Sequence, residues 1–340
     1  MKQRKQLWTG IFAGIGMLIM ILDAKTAVSG AAEGVQLCIR CVIPSLFPFL
    51  ILSNLINNAL LGRRSFILSP IRKFSAIPEG GESLLLLGLL GGYPVGAQAI
   101  ASAYKSGRLS KQTAERMLGF CNNAGPAFIF GLVGTLFSSV SIPWIIWILH
   151  ILSALAVGAI LPNKRIDTCS IDTEKPMRLT KALEKSIGIM ANICGWVIIF
   201  RIIIAVCSRW FLWAFPQTLQ PFVVGILELT NGITALQLIP GAGTRFVLST
   251  CLLSIGGLCV SMQTRAITED LNISLYFPGK ILQGIISFFM AAIVQVLLFD
   301  HSEILQISSI IYILLLAVLL LSIWYLRRKK SSDKPAAVVV

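Results

Sequence analysis

A carboxylate, Glu228, stands inside an apolar run at 221–238, three residues before Asn231 and Gly232. An acid in such a run is costly to place in hydrocarbon, so it faces a partner or an aqueous cavity. Two chemistries suit it. One is reversible binding of a proton or cation; the other is a fixed ion pair with Arg201 or Arg40, each the one arginine of its own apolar run. Glu33 is a further carboxylate that can pair with these arginines, and a structural role joining two halves of the molecule is the expectation for Glu33, Arg40 and Arg201. In "FCNNAGPAFIFGLVG", Asn122 and Asn123 offer amide donors and carbonyl acceptors side by side. That pair suits a polar uncharged solute such as a nucleoside base or sugar, or else hydrogen bonds between helices. Gly125 and Pro126 interrupt the same run and expose backbone, which favours binding.

A second group of candidates surrounds "GGYPVG". Gly91 and Gly92 permit backbone angles that end a helix, while Pro94 lacks an amide hydrogen yet suits the first turn of a new one. Tyr93 offers a ring to stack on a solute or to pack at the bend, and Gly96 follows in the new helix. The start of that helix would favour negative or carbonyl oxygen groups. In the second half of the chain, "SIGGLCVSMQ" supplies Gly256, Gly257 and Gln263 as the matching element; its glycines individually suit close helix approach.

Enzyme chemistry has no foothold. No HExxH, GxSxG, Walker A or dinucleotide-binding glycine motif occurs in a plausible setting. His150 and His301 lie near the ends of apolar runs, where an interfacial role is ordinary. Cys38 and Cys41 form a CxxC with no second pair in a chain of only 2 histidines, so no metal site or disulfide is expected. No cofactor is implied.

The elements that position these residues follow from composition. Hydrophobic residues make up 56% and charged residues 13%, and the mean hydropathy is +0.81, values that describe a polytopic membrane protein. The net charge of +14 lies in short loops and at both termini, where it reads as topology and attraction to anionic lipid headgroups, not nucleic acid. Apolar runs occur at about 7–22, 35–61, 84–104, 120–137, 143–161, 186–207, 221–238, 246–262, 280–299 and 304–326, each near the ~20 residues a helix needs to cross the hydrocarbon core. The first resembles a signal peptide in layout and is kept as an uncleaved helix.

If every run crossed, two basic loops, with Lys105, Arg108, Lys111 and Arg116 in one and residues 164–185 in the other, would face outward against the positive-inside tendency. Runs 84–104 and 221–238 that enter and leave on one side restore it. Both termini are then cytoplasmic, in a bacterial inner membrane. The order span, re-entrant hairpin, broken span, span occurs twice, once from each side. The expected fold is therefore an all-α polytopic membrane protein of about eight crossings, an inverted repeat with two re-entrant helical hairpins and broken helices. It divides into an N-terminal helix (1–30), a first repeat (31–165), a cytoplasmic linker (166–185), a second repeat (186–300), and a last helix with a basic tail (301–340).

"VIPSLFPFLILSNLI", "GGYPVGAQ", "SGRLSKQTAERMLGFCNNAGPAFIFGLVG" and, more weakly, "GILELTNGI" and "SIGGLCVSMQ" resemble bacterial sporulation integral membrane proteins of the YlbJ-like type, which carry the nucleoside-recognition, or Gate, domain. The resemblance covers about 31–299 and is strongest in the first half. It implies a part in endospore formation, particularly the cortex, and likeness to nucleoside permeases and iron-transport membrane proteins, without naming a substrate. Ser261 stands where relatives carry a charged or imidazole side chain. The expected function is permease-like transport of a small polar solute by alternating access. The alternative is a scaffold or assembly factor that transports nothing. Partners expected are the solute and anionic lipid headgroups, with either a second copy of the chain or other sporulation membrane proteins, and no nucleic acid.

Overall fold

The computed structural model describes residues 2–60, 68–162 and 177–300. Arg63, Arg64, His301, most of the proposed linker, the last apolar run and the basic tail lie outside the described residues. Every regular element among the described residues is helical. The first half comprises α1 (Lys2–Leu22), α2 (Ala24–Leu37), a π turn (Cys38–Val42), α3 (Ile43–Leu60), α4 (Ser69–Phe74), α5 (Glu82–Leu90), α6 (Val95–Lys105), α7 (Lys111–Cys121), α8 (Pro126–Gly131) and α9 (Ser141–Ile160). The second comprises α10 (Leu179–Trp210), α11 (Gln220–Leu227), α12 (Leu229–Ala235), α13 (Ala242–Ile255), α14 (Gly257–Ile267) and α15 (Tyr276–Leu298). Among the described residues, 5 helical stretches are long and apolar enough to cross a membrane: Ala24–Ile56, Ser141–Ile160, Leu179–Trp210, Ala242–Ile267 and Tyr276–Leu298.

Two chain reversals are fixed by glycine pairs. Residues eight apart in a straight helix are separated by about 12 Å, yet a Cβ on Gly96 would lie 2.9 Å from the Cα of Gly88. The chain therefore doubles back between α5 and α6, through Gly91 and a Gly92 held at φ +79°. Its counterpart joins α11 to α12, where a Cβ on Gly232 would lie 2.1 Å from the Cα of Gly225. The second reversal corrects the sequence reading in one respect. Asn231 and Gly232 sit within α12, and the break falls at Glu228 itself, which adopts an extended conformation. Gly232 is there to let two helices touch, as is Gly96, whose Cβ would lie 2.1 Å from the Cys121 carbonyl oxygen.

Helix breaks are present at both expected places. α7 ends at Cys121, the chain runs extended at Asn122 and Gly125, and Pro126 starts α8 from its first turn. In the second half Gly256 and Gly257 hold φ +80° and +78° between α13 and α14. They also provide the close approach expected of them, because a Cβ on Gly257 would lie 2.8 Å from the Gly225 carbonyl oxygen.

Two boundaries differ from expectation. The helix that leads into α3 starts at Ala24, not near residue 35, because "AKTAVSGAAEG" is a helix contact surface and not a linker. A Cβ on Gly34 would stand 2.9 Å from the Ile198 Cα, and one on Gly30 would stand 2.9 Å from the Ala205 Cβ, so these glycines press α2 against α10. Asp23–Arg209 at 3.4 Å and the Glu33–Arg201 ion pair flank that seam. α10 begins at Leu179, so residues 179–185 belong to a 32-residue helix and not to the linker. Lysine, alanine, leucine and glutamate there are all good helix formers.

The basic loop between α6 and α8 is also less exposed than its charge suggests, since Arg108 and Arg116 are both buried. Arg116 donates to the carbonyls of Ala76 at 3.0 Å and Ser75 at 2.9 Å, and to that of Gly158. Its guanidinium also lies 5.1 Å from the centroid of the Phe120 ring. One side chain thus ties α7 to the turn after α4 and to α9. Arg116→Met leaves three carbonyl acceptors without this donor, two of them in buried bonds, and a loss of about 3 kcal/mol is expected. The check is thermal unfolding of the detergent-purified variant beside Lys111→Met, which removes a charge from an exposed position and should leave the midpoint unchanged.

Candidate solute-binding cavity

A cavity of about 340 Å³ lies where both reversals and the first broken span meet. Its wall is built from the π turn and the start of α3 (Arg40 to Leu46), Tyr93, the Ala124–Gly125 break with α8, the α10 residues Ile193 and Val197, the Glu228–Thr230 break, and Val260 and Gln263 of α14. Most of that surface is aliphatic. The polar residues in the lining are few: Arg40, Ser45, Tyr93, Glu228, Thr230 and Gln263. An apolar wall with sparse, convergent polar groups is the usual form of a small-molecule site.

Glu228 is 2% exposed. Its Oε1 accepts from the Thr230 backbone N–H at 3.0 Å, and its Oε2 accepts from the Asn231 backbone N–H at 2.7 Å and from Asn231 Nδ2 at 2.6 Å. A carboxylate at the N-cap satisfies orphan amides and suits the positive end of the helix. The ion pair entertained for Glu228 is not what the fold uses. Arg201 pairs with Glu33 across α2 and α10, and Arg40 has no ion-pair partner among the described residues. Arg40 and Glu228 instead both belong to the lining of one cavity.

Of the other residues singled out in the sequence, Tyr93, Gly125 and Gln263 also line the cavity. Gly91, Gly92, Pro94, Gly96, Pro126, Asn231 and Gly232 are outside that lining and shape it from behind. Asn122 and Asn123 are fully buried off the cavity, and their amides are committed to the protein. Asn122 Oδ1 accepts from the Ala97 N–H at 3.2 Å and its Nδ2 donates to Thr264 Oγ1 at 2.9 Å. Asn123 Nδ2 donates to the Phe120 carbonyl at 2.7 Å, and its Oδ1 accepts from Gln283 Nε2 at 3.0 Å. In this structure the two asparagines tie α6, α7, α14 and α15 together. Ser261 likewise donates to the Gly257 carbonyl at 2.9 Å within its own helix.

Several polar residues escaped the sequence reading. Lys280 looks like the charged flank of an apolar run but is 2% exposed, one turn inside α15. Its ammonium lies 5.0 Å from the centroid of the Tyr93 ring. His150 is not interfacial. It is fully buried, its Nε2 accepts from the Ala124 N–H at 3.1 Å, and its Nδ1 lies 3.0 Å from Ser254 Oγ. Because a backbone N–H can only donate, Nε2 carries no proton and Nδ1–H is the donor to Ser254. A third cluster links Gln98 to Asn54 at 2.8 Å and Asn54 to Ser186 at 3.1 Å, joining α6, α3 and α10. Polar residues at intervals of three or four, such as Lys280 and Gln283, are the signal that marks such a face.

The chain is 24% identical over 317 residues to the sporulation integral membrane protein YlbJ of Bacillus subtilis (strain 168), covering 78% of this chain and 77% of that protein. No family model matches the chain, and no solved structure does. Its apolar helices and this similarity make the chain an integral membrane protein.

Proposed function

We propose that this protein is a permease-like membrane protein that takes a small polar solute into the cavity between its two reversals and acts in spore formation. The observation that carries the reading is that Tyr93 of one reversal and Glu228 of the other line a single cavity, together with the helix break at Ala124–Gly125. In this reading α5–α6 and α11–α12 are re-entrant hairpins that enter from opposite faces of the bacterial inner membrane, the two halves are inverted repeats, and both termini are cytoplasmic. Discontinuous helices meeting near the midplane are how secondary transporters bind solutes, and rocking of one repeat against the other alternates access. The part in spore formation rests on the likeness to YlbJ. The nucleoside-recognition resemblance rests on the sequence motifs.

The cavity's chemistry narrows the solute class. Arg40 suits an anionic or carbonyl group, Glu228 a donor or cation, and Tyr93 with the aliphatic wall a ring or short carbon frame. Nucleosides and similar ring-bearing polar molecules fit that description. The protein is read as a binder and carrier, not an enzyme. Reconstituted protein in liposomes is expected to take up at least one member of a panel of nucleosides, peptidoglycan precursors and ions, and Tyr93→Ala is expected to cut that uptake at least about tenfold. If no panel member moves, and cavity variants support sporulation while alanines in the 105–116 loop do not, the protein is a scaffold instead.

A further inference from the structure

A buried charge without a counter-charge needs an explanation. Lys280 sits in a helix apolar and long enough to cross the membrane, and none of the described ion pairs includes it. A charge in such a helix carries a large cost unless its surroundings replace water. Here they do so with oxygen atoms. The Lys280 ammonium donates to Gln283 Oε1 at 2.6 Å and to the Asn122 main-chain carbonyl at 3.1 Å, with a longer contact to Asn123 Oδ1 at 3.5 Å. The Tyr93 ring face closes the remaining side, an arrangement that attracts a cation through the ring quadrupole.

The origin of these oxygens matters. Asn122 caps the C-terminal end of α7 in an extended conformation, so its carbonyl belongs to no helical ladder and is aimed at Lys280 because the helix is broken there. Half-helix C-terminal ends and unwound carbonyls are the groups with which broken membrane helices hold alkali cations. Neutral oxygens from a main-chain carbonyl and two amides suit a hard monovalent ion, and the cluster includes no carboxylate that would call for a divalent one.

We propose that the oxygens of Asn122, Asn123 and Gln283, closed over by the Tyr93 ring, form a monovalent-cation site that the chain fills with its own lysine. The tethered ammonium does the work of a bound sodium or potassium ion, holding the break between α7 and α8 against α15 and against the reversal at Tyr93. One consequence follows for the native protein: its stability at this break is independent of sodium and potassium. The inference stands whether or not a solute is carried.

The test uses the purified full-length chain in detergent, melted in NaCl, KCl or choline chloride at equal ionic strength. Wild type is expected to melt at one temperature in all three. Lys280→Ala empties the site, so its midpoint should fall by several degrees in choline and recover saturably in Na⁺ or K⁺. Equal midpoints of the alanine variant in the three salts, or a wild-type midpoint in choline, would overturn the proposal. Should the alanine variant not accumulate, Lys280→Met decides the matter, since it fills the space without the charge. Cys121, fully buried beside Asn122, should then react with N-ethylmaleimide at least about tenfold faster than in wild type, in every salt. Unchanged protection of Cys121 in that variant would overturn it equally.

Discussion

A single methyl group at Gly88 is expected to keep this protein from accumulating in the membrane. A Cβ there would lie 1.6 Å from the Cys121 carbonyl oxygen and 2.7 Å from its carbonyl carbon. Both are backbone atoms of α7 at the point where that helix breaks, so neither can swing aside as a side chain would. Relief requires moving the α5–α6 reversal away from α7, which opens Gly96, the Asn122 hydrogen bonds and the Lys280 contacts together. Core overpacking that moves backbone lies at the severe end of single substitutions, and a cost above about 4 kcal/mol is expected for Gly88→Ala. Gly188 is the matched control. It lies in the middle of α10 with nothing within 4 Å of its would-be Cβ, so Gly188→Ala should be neutral or stabilise by up to ~1 kcal/mol through helix propensity. Membrane yield and size-exclusion profiles of the two variants, side by side, provide the comparison.

Glu228 is expected to show the second large effect, and two substitutions separate its two roles. As an N-cap it satisfies the first amides of α12, and as a carboxylate it shares the cavity lining with Arg40. Glu228→Leu removes both functions. It should lose about 2 kcal/mol of stability, a full cap plus unsatisfied buried amides, and bind no solute. Glu228→Asn retains an oxygen acceptor of good capping type but no charge. It should melt within about 1 kcal/mol of wild type and still lose at least about tenfold in solute affinity if the carboxylate contacts the solute. Binding measured by calorimetry or scintillation proximity on both variants, with their melting points, distinguishes capping from recognition. Equal affinity of Glu228→Asn and wild type would confine Glu228 to the cap.

The first reversal and the two helix breaks were legible because glycine and proline act on the backbone within a few residues, whereas the second reversal turns at Glu228, where neither residue marks it. Gly91, Gly92 and Pro94 state locally that a helix ends and restarts, and so do Gly125 with Pro126 and Gly256 with Gly257. Glu228 was legible as an anomaly, being an acid among aliphatic residues. What it would pair with was not legible, because the choice between Arg201, Arg40 and its own helix depends on where α2 lies. That placement follows from Gly30 and Gly34, which look like loop residues until α10 is set against them. Lys280 was missed for a related reason. At the edge of an apolar run a lysine reads as a flank, and only the start of α15 at Tyr276 puts it inside. The asparagine pair was recognised as important, but sequence offered no way to tell an amide facing a cavity from one facing Thr264 or Gln283.

The central claim is that the two reversals face one cavity. On a cysteine-free background, Tyr93→Cys and Thr230→Cys place thiols on its wall from the first and second reversals. Each single variant should react with a small methanethiosulfonate, while Ile146→Cys in the packed interior of α9 should not. In the double variant a bulky maleimide on one position must exclude the other, because a cavity of about 340 Å³ has no room for two. Intact mass spectrometry showing one modification per molecule is the predicted result. Two modifications per molecule, formed at the rates of the single variants, would show that the reversals face separate spaces and would contradict the account.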